Sequence, residues 1–424
     1  MGKIVWIVNE YNYPDAIKTR QTNLCRRLNE RGYDAYIISG SSSNRGLKNR
    51  LPANEPFRYV ESAEARGYYI RTSDYRTNYG RVMVALQFQH HIWKYRNKLP
   101  KPDVIVSDFA GLFGNIFLRW KKKYGTKVIY DILDLWPEGF VDMGYIKKNS
   151  LIAKFLYSLE HKSYREADGI IFSFQGGRNY IIDKGWSKET GGDVDTSNIG
   201  YLNNGVDLEG VDQQRTEFVL DDPDLDSDKF KAIYLGSISA FNGLDVLVET
   251  AKVLRDRGED GIQILVYGFG TQEDKLKKMA LDYGLTNIKF KGRLDKNYAM
   301  NLLSRGNINI FTFKDTPLLK YGTSPNKLFM YFASGKPVLS MIRPGYDLVE
   351  GRKAGISVEN NPESVANAMV RFSRMSKEEY QEYSRNSRQL GIEYDYKNLV
   401  NVLINQIEGK EGEHISHYTN LSAT

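Results

Sequence analysis

Cysteine is almost absent from these 424 residues: Cys25 stands alone, so neither a disulfide framework nor a cysteine-based metal site can form. Histidine is scarce too. Its five positions (His90, His91, His161, His414 and His417) show no HExxH or other zinc spacing, and the expectation is a protein without metal. No apolar run reaches the length needed to span a bilayer. The first residues, MGKIVWIVNE, run straight into a strand-like segment without a secretory leader, so the expected location is cytoplasmic. No RNP, helix-turn-helix or finger pattern accompanies the basic residues, which argues against nucleic acid as a partner.

What is present is a packed globular composition, 41% hydrophobic and 12% aromatic, in a chain too long for one ordinary core. The net charge of +7 lies wholly in residues 1–212, where 31 Lys and Arg face 24 Asp and Glu. A solvated basic face accounts for this most simply. Peripheral contact with an anionic membrane is a further expectation, resting on the basic first half and on Trp93, Tyr95 and Trp120 near lysines and arginines.

Strand-like runs alternate with helical periodicity twice over. The first set opens with KIVWIV (3–8), a helix from Arg20, and YDAYIISG (33–40), and continues through DVIVSD, a helix GLFGNIFLRWKKKYG, KVIYDIL, a helix LIAKFLYSLEHKSYREA and DGIIFSF to IGYLNNGVD (199–207). A polar stretch follows, with DDPDLDSD at 221–228; its Asp-x-Asp reads as solvated linker rather than a cation site. The pattern restarts at KAIYLGS (231–237). The expected fold is α/β, with two Rossmann-like, doubly wound parallel-sheet domains facing across a cleft. Their expected bounds are 1–212, completed by C-terminal helices at about 395–410, and 213–394, with 411–424 as a flexible tail.

Three strand ends of the second set carry glycine: Gly236, the pair Gly268 and Gly270, and Gly292. Glycine permits close backbone approach to a ligand, although each alone is commonly a plain turn. None forms GxGxxG, so a dinucleotide cofactor is not indicated. The stretch YGTSPNKLFMYFASGKPV (321–338) reads as a turn, a helix from Asn326 and a short strand. Its unpaired first-turn amides, with Ser324 and Lys327, make either a capped surface helix or an anion seat. In the first half, Asp134, Trp136 and Glu138 directly follow a strand; the two acids could orient an acceptor hydroxyl, or Asp134 could cap a helix.

Taken in order, LDLWPEGFVDMG, LYSLEHKSYREADGIIFSF, NNGVD, YLGSISAFNGLDVLVETAKVL, VYGFGTQEDKLKKMA, KFKGRL and TSPNKLFMYFASGKPVL resemble the retaining glycosyltransferases of family 4. The likeness is nearest to bacterial enzymes with a DLWPE motif that build capsule, O-antigen or exopolysaccharide. The resemblance implies the GT-B fold and metal-independent transfer of a sugar from a UDP- or GDP-sugar to a glycan or lipid-linked acceptor, with retention of configuration. By position it places Gly236 and Ser237 at the donor diphosphate and Tyr267, Gly268 and Gly270 along the nucleotide. Arg293 and Leu294 would hold the base, Thr323, Ser324, Pro325, Asn326 and Lys327 the sugar and phosphates, and Leu328 the ribose. Arg20, Asp134 and Glu138 fall on the acceptor side.

Departures accompany the likeness. The family's two glutamates eight positions apart fall on Gly322 and Met330, and no Glu occurs between Glu273 and Glu350. The usual basic pair at the diphosphate falls on Ser237 and Asn242, and the glycine pair of the first loop on Ala16 and Ile17. Positive charge would then come from Lys320, Lys327 or Arg20. Three readings stay open: an active glycosyltransferase, a non-catalytic GT-B partner or regulatory protein, and a sugar-nucleotide epimerase on the same fold.

Overall fold

Short runs rich in Val, Ile and aromatic residues form two separate sheets. In this computed structural model, which describes residues 2–42 and 49–410, the first sheet holds β1 (Ile4–Val8), β2 (Asp34–Gly40), β3 (Phe57–Glu61), β4 (Arg66–Ile70), β5 (Val104–Ser107), β6 (Lys127–Ile132), β7 (Gly169–Phe172) and β8 (Ile199–Tyr201). Their order is β3-β4-β2-β1-β5-β6-β7-β8, parallel throughout except for the β3–β4 pair. The central strands β5, β6 and β7 are covered on both faces, which is why they read as continuous apolar runs without alternation. Around them lie α1 (Arg20–Glu30), α2 (Asn78–Tyr95), α3 (Leu118–Tyr124), α4 (Glu138–Asp142), α5 (Leu151–Glu166) and α6 (Gly177–Asp183).

Local chemistry sets where these helices begin. Thr19 caps α1 reciprocally: its hydroxyl accepts from the Thr22 amide at 3.2 Å, while the Thr22 hydroxyl accepts from the Thr19 amide at 2.9 Å. Arg20 therefore enters on the first turn. The helix expected over 111–125 is shorter, beginning only at Leu118. Gly111 takes φ +64°, and a Cβ on Gly114 would lie 1.9 Å from the Phe109 carbonyl oxygen, so this part of the chain forms a tight turn, Gly111–Phe113.

The second unit contains α7 (Leu208–Glu217), α8 (Pro223–Asp226), β9 (Phe230–Leu235), α9 (Asp245–Asp256), β10 (Ile262–Tyr267), α10 (Glu273–Asp282), β11 (Ile288–Gly292), α11 (Ala299–Arg305), β12 (Ile308–Phe311), α12 (Asn326–Ala333), β13 (Val338–Ser340), α13 (Leu348–Gly351), β14 (Gly355–Ser357), α14 (Pro362–Ser373) and α15 (Lys377–Glu393). Its sheet runs β11-β10-β9-β12-β13-β14, wholly parallel. Such an order reverses direction between β9 and β12, the point at which open α/β sheets present strand ends to ligands.

The chain divides after Asn203, and α16 (Tyr396–Glu408) returns to the first unit. The break precedes α7 instead of following Asp212. Residues from Asn204 on are claimed by the second unit: the Asn204 amide donates to the Ser324 hydroxyl at 2.7 Å, and the Val206 amide to the Tyr394 carbonyl at 3.0 Å. The return of α16 is fixed by Lys3–Glu408 at 2.6 Å and Tyr33–Glu408 at 2.8 Å. The tail expected over 411–424 lies outside the described residues.

The acidic stretch and Trp120 are placed differently from the expectation. The acidic stretch 221–228 is not free linker: Asp222 caps α8 and pairs with Lys291 at 2.9 Å, and Asp224 pairs with Lys291 at 2.8 Å and with Lys289. Trp120 is 1% exposed, and its ring meets Trp93 edge-on at 4.7 Å and Trp6 at 6.0 Å. Lys123 and Arg96 lie over the Trp93 ring, and Tyr95 packs on Phe57. Trp120 is therefore interior packing, while Trp93 and Tyr95 are half-buried, with cations over the Trp93 ring.

Candidate functional site

In the second unit, three strand ends are stitched together by their main chains. Gly236 N–H donates to the Tyr267 carbonyl at 3.0 Å, Ile238 N–H to the Phe269 carbonyl at 3.0 Å, and Gly268 N–H to the Gly292 carbonyl at 2.7 Å. A Cβ on Gly268, at φ +145°, would lie 1.7 Å from the Gly236 oxygen; one on Gly270 would lie 2.3 Å from the Ile238 oxygen. These glycines answer first to backbone packing on backbone. Gly268→Ala is expected to destabilise the protein by about 2–3 kcal/mol. Urea unfolding measures this, and an unchanged midpoint would show that the loop yields freely.

Beside this platform Lys327 sits on the first turn of α12 with its stem buried. Its ammonium donates to Asn242 Oδ1 at 3.1 Å and to the Thr312 carbonyl at 3.1 Å, over the rings of Tyr234 and Phe311. Asn242 Nδ2 in turn donates to the Ser237 carbonyl at 2.9 Å, to Ser237 Oγ at 2.8 Å and to Ser239 Oγ at 3.0 Å. The two positions that lack the family's basic side chains are thus joined to one lysine from the start of α12. Among the described residues no carboxylate pairs with it, and burial lowers its pKa to about 8.

The start of α12 has no side-chain cap. Pro325 occupies the N-cap position, and the Ser324 hydroxyl, which could have capped the helix, accepts from Asn204. The amides of Asn326 and Lys327 therefore remain at the positive end of the helix dipole. Other expected residues are placed differently. The Tyr267 hydroxyl donates to Asp222 at 2.8 Å inside the unit, so only its main chain borders the loop platform. Leu328 is 3% exposed and lines a small hollow with Thr323, Phe311 and Asp347. Arg293 lies over exposed Phe269 at 4.9 Å, with Leu294 half-buried next to it.

In the first unit the strand ends carry a polar cluster that sequence reading missed. Buried Arg20 grips Asp131 with Nη2 at 2.8 Å and Nε at 3.2 Å, and its Nη1 donates to the Asn203 carbonyl at 2.7 Å. Half-buried Asp108 accepts from Gln21 at 2.6 Å and from Asn9. Desolvation and then the Asp131 carboxylate raise the Asp108 pKa. Burial raises Asp131 as well, but the guanidinium opposes it, so a proton is held more readily on Asp108. The buried side-chain amides of Asn203 and Gln175 have no partner among the described residues.

Asp134 follows β6 with its carboxylate reaching solvent; desolvation by the surrounding protein raises its pKa. Glu138, four residues on, is engaged elsewhere: it pairs with Lys184 and accepts from Tyr157 at 2.6 Å. Burial would raise its pKa, but Lys184 and Tyr157 together hold it below the ordinary carboxylate value. Of Arg20, Asp134 and Glu138, only Asp134 has no side-chain partner among the described residues. Among the described residues no group of His, Cys, Asp and Glu is arranged to hold a metal ion.

Family models cover most of the chain. Residues 16–190 match the glycosyl transferase 4-like domain, and residues 216–390 match glycosyl transferases group 1. Both halves are glycosyltransferase-family domains. An uncharacterized glycosyltransferase of Methanocaldococcus jannaschii is 21% identical over 268 residues, which span 62% of this chain and 62% of that relative. Solved structures share the whole architecture. An E. coli trehalose-6-phosphate structure bound with UDP-2-fluoro glucose superposes with TM-score 0.71 at 12% identity, over 96% of this chain and 99% of that one. Sucrose-phosphate synthase from Thermosynechococcus elongatus gives 0.68 at 15% identity, covering 96% and 98%. Anabaena HepE in complex with UDP gives 0.62 at 12%, covering 96% and 100%. The fold of this glycosyltransferase-family chain is GT-B.

Proposed function

We propose that this protein moves a sugar from a UDP- or GDP-sugar to a hydroxyl of a glycan or lipid-linked acceptor, with retention of configuration and without a metal ion. We assign it to cell-surface polysaccharide synthesis on the cytoplasmic side of the membrane. One observation carries the reading: a half-buried lysine with no acidic partner among the described residues, at the uncapped start of α12, hydrogen-bonded to the side chain at a family diphosphate position. An ammonium and two aligned amides are suited to the charge that builds on a diphosphate as the bond to the sugar breaks. The electron pair of that bond goes to the phosphate oxygen. The acceptor oxygen attacks on the same face, and its proton passes to the departing phosphate. Asp134 is the side chain available to orient the acceptor; Arg20 and Glu138 act by shaping its surroundings. Bound UDP in HepE and UDP-2-fluoro glucose in the E. coli structure favour a donor of this class.

Half-buried Met330, standing where relatives carry a ribose-binding glutamate, supports a second reading, a non-catalytic GT-B partner or regulatory protein that has lost donor chemistry. Thermal melting with UDP, GDP and their sugars, followed by nucleotide release over an acceptor panel, separates the two. A shift with release supports transfer. No shift with any nucleotide refutes transfer and supports the second reading.

Binding also has a pH signature. The ammonium form of Lys327 exists below about 8 and is lost above it, so affinity falls as pH rises through that value. Bound diphosphate raises the lysine pKa, so the dissociation constant is expected to climb up to about tenfold per pH unit above 8. Calorimetric titration across that range reads this directly; a flat profile excludes Lys327 as the charge that binds phosphate.

A further inference from the structure

Among its described residues the first unit presents an exposed apolar surface. α2 is apolar on two sides. Val84, Ala85, Phe88 and Ile92 face the core, while Tyr79, Val82, Met83 and Leu86, spaced i, i+3, i+4 and i+7, stand outward between 36% and 75% exposed. A second run lies along α4, the following turn and the start of α5. Phe140, Met143, Tyr145, Leu151, Ile152 and Phe155 are between 41% and 84% exposed. The turn folds back on α4, with the Tyr145 amide donating to the Phe140 carbonyl at 2.9 Å and the two rings 6.1 Å apart. The two runs are neighbours. Both α2 and α5 pack on the Gly111–Phe113 turn, and Phe113, Trp136 and Phe140 form a chain of ring contacts at 5.2 and 6.4 Å.

Around this surface cations outnumber acids: on α4 half-buried Asp142 stands beside Met143, and Glu138 is paired with Lys184. Residues 75–102 contain no Asp or Glu but carry Arg76, Arg81 and Lys94. Residues 143–159 contain none either, and Lys147, Lys148 and Lys154 are exposed among the apolar side chains. A large apolar patch rimmed by cations fits anionic lipid, whose headgroups take the lysines and whose acyl region takes the aromatic and aliphatic tips. A second copy of this chain fits poorly, because a twofold contact would set these cations against each other. We propose that this face docks the protein onto an anionic bilayer. The property goes beyond sugar transfer and is read without it.

The test is flotation of the full-length protein with vesicles of phosphatidylcholine alone or mixed with phosphatidylglycerol, at low and high salt. Binding is expected to the mixed vesicles, weakening with salt. The double variant Ile152→Glu/Phe155→Glu should lower partition at least about tenfold, and Lys147→Glu/Lys148→Glu should lower it and remove most of the salt dependence. Both should keep the melting temperature and any nucleotide-induced shift of the parent. Failure of the parent to float with anionic vesicles at low salt overturns the proposal, as does partition unaffected by both variants. So does a dimer in sedimentation that Ile152→Glu/Phe155→Glu dissociates without any vesicle binding.

Discussion

Lys327→Ala weakens nucleoside diphosphate binding about a hundredfold, some 2.7 kcal/mol, and with it the ligand-induced rise in melting temperature. The size follows from what alanine removes. The lysine ammonium is the one side-chain cation tied to Asn242 and through it to Ser237, and it lies beside the first amides of α12. A charge-assisted bond to phosphate in a partly dry setting is about twice as strong as a neutral one. The comparison has to be between liganded and free protein for each variant, because the mutation also leaves Asn242 Oδ1 and the Thr312 carbonyl without their donor and lowers the free melting point modestly. Lys327→Arg keeps the charge but not the compact fit among Tyr234 and Phe311, and an intermediate loss is expected. A nucleotide shift the same size in Lys327→Ala as in the parent would remove this residue from the site.

Asp131→Ala should cost about 3–5 kcal/mol of stability, roughly ten degrees in melting temperature for the unit that carries it. Both partners of the Arg20–Asp131 pair are only 3% exposed in their side chains. Removing the carboxylate leaves the guanidinium, among the described residues, with the Asn203 carbonyl as its hydrogen-bond partner and Asp108 as an acid within electrostatic reach. Asp108 then ionises more easily, because it no longer faces a second carboxylate. Replacing both partners, Arg20→Met with Asp131→Leu, should recover most of the lost stability, since two apolar groups of similar volume need no desolvated charge. Calorimetry of the three variants checks this. An unchanged melting point in Asp131→Ala would mean that water reaches Arg20.

Much of the architecture was legible because it is written locally. The alternation of apolar runs with helical spacing found both sheets, and Gly322 through Gly335 marked out α12 within a residue or two. The same local view saw three glycines at strand ends but not why they are glycine. The 1.7 Å separation at Gly268 depends on Gly236, thirty-two positions away in the chain. The acidic stretch at 221–228 looked solvated because its counterions, Lys289 and Lys291, come from β11 and its border. Glu138 read as free because Lys184 is far off in sequence. Asp108 and Asp131 were passed over for a related reason: both sit in or beside apolar strands, where an isolated Asp is easily taken for a strand end. An acid inside a buried strand with an arginine at a helix start is the signal that could have found them. The exposed face of α2 was hidden differently, since its apolar residues on two sides cancel any simple one-sided pattern.

The most direct measurement is a crystal of this protein soaked with UDP or GDP. The account predicts density for the diphosphate within hydrogen-bond distance of Lys327 Nζ and of the Asn326 and Lys327 amides, with the base toward Arg293 and Phe269. Ordered nucleotide anywhere else on the chain, with α12 left bare, would contradict it.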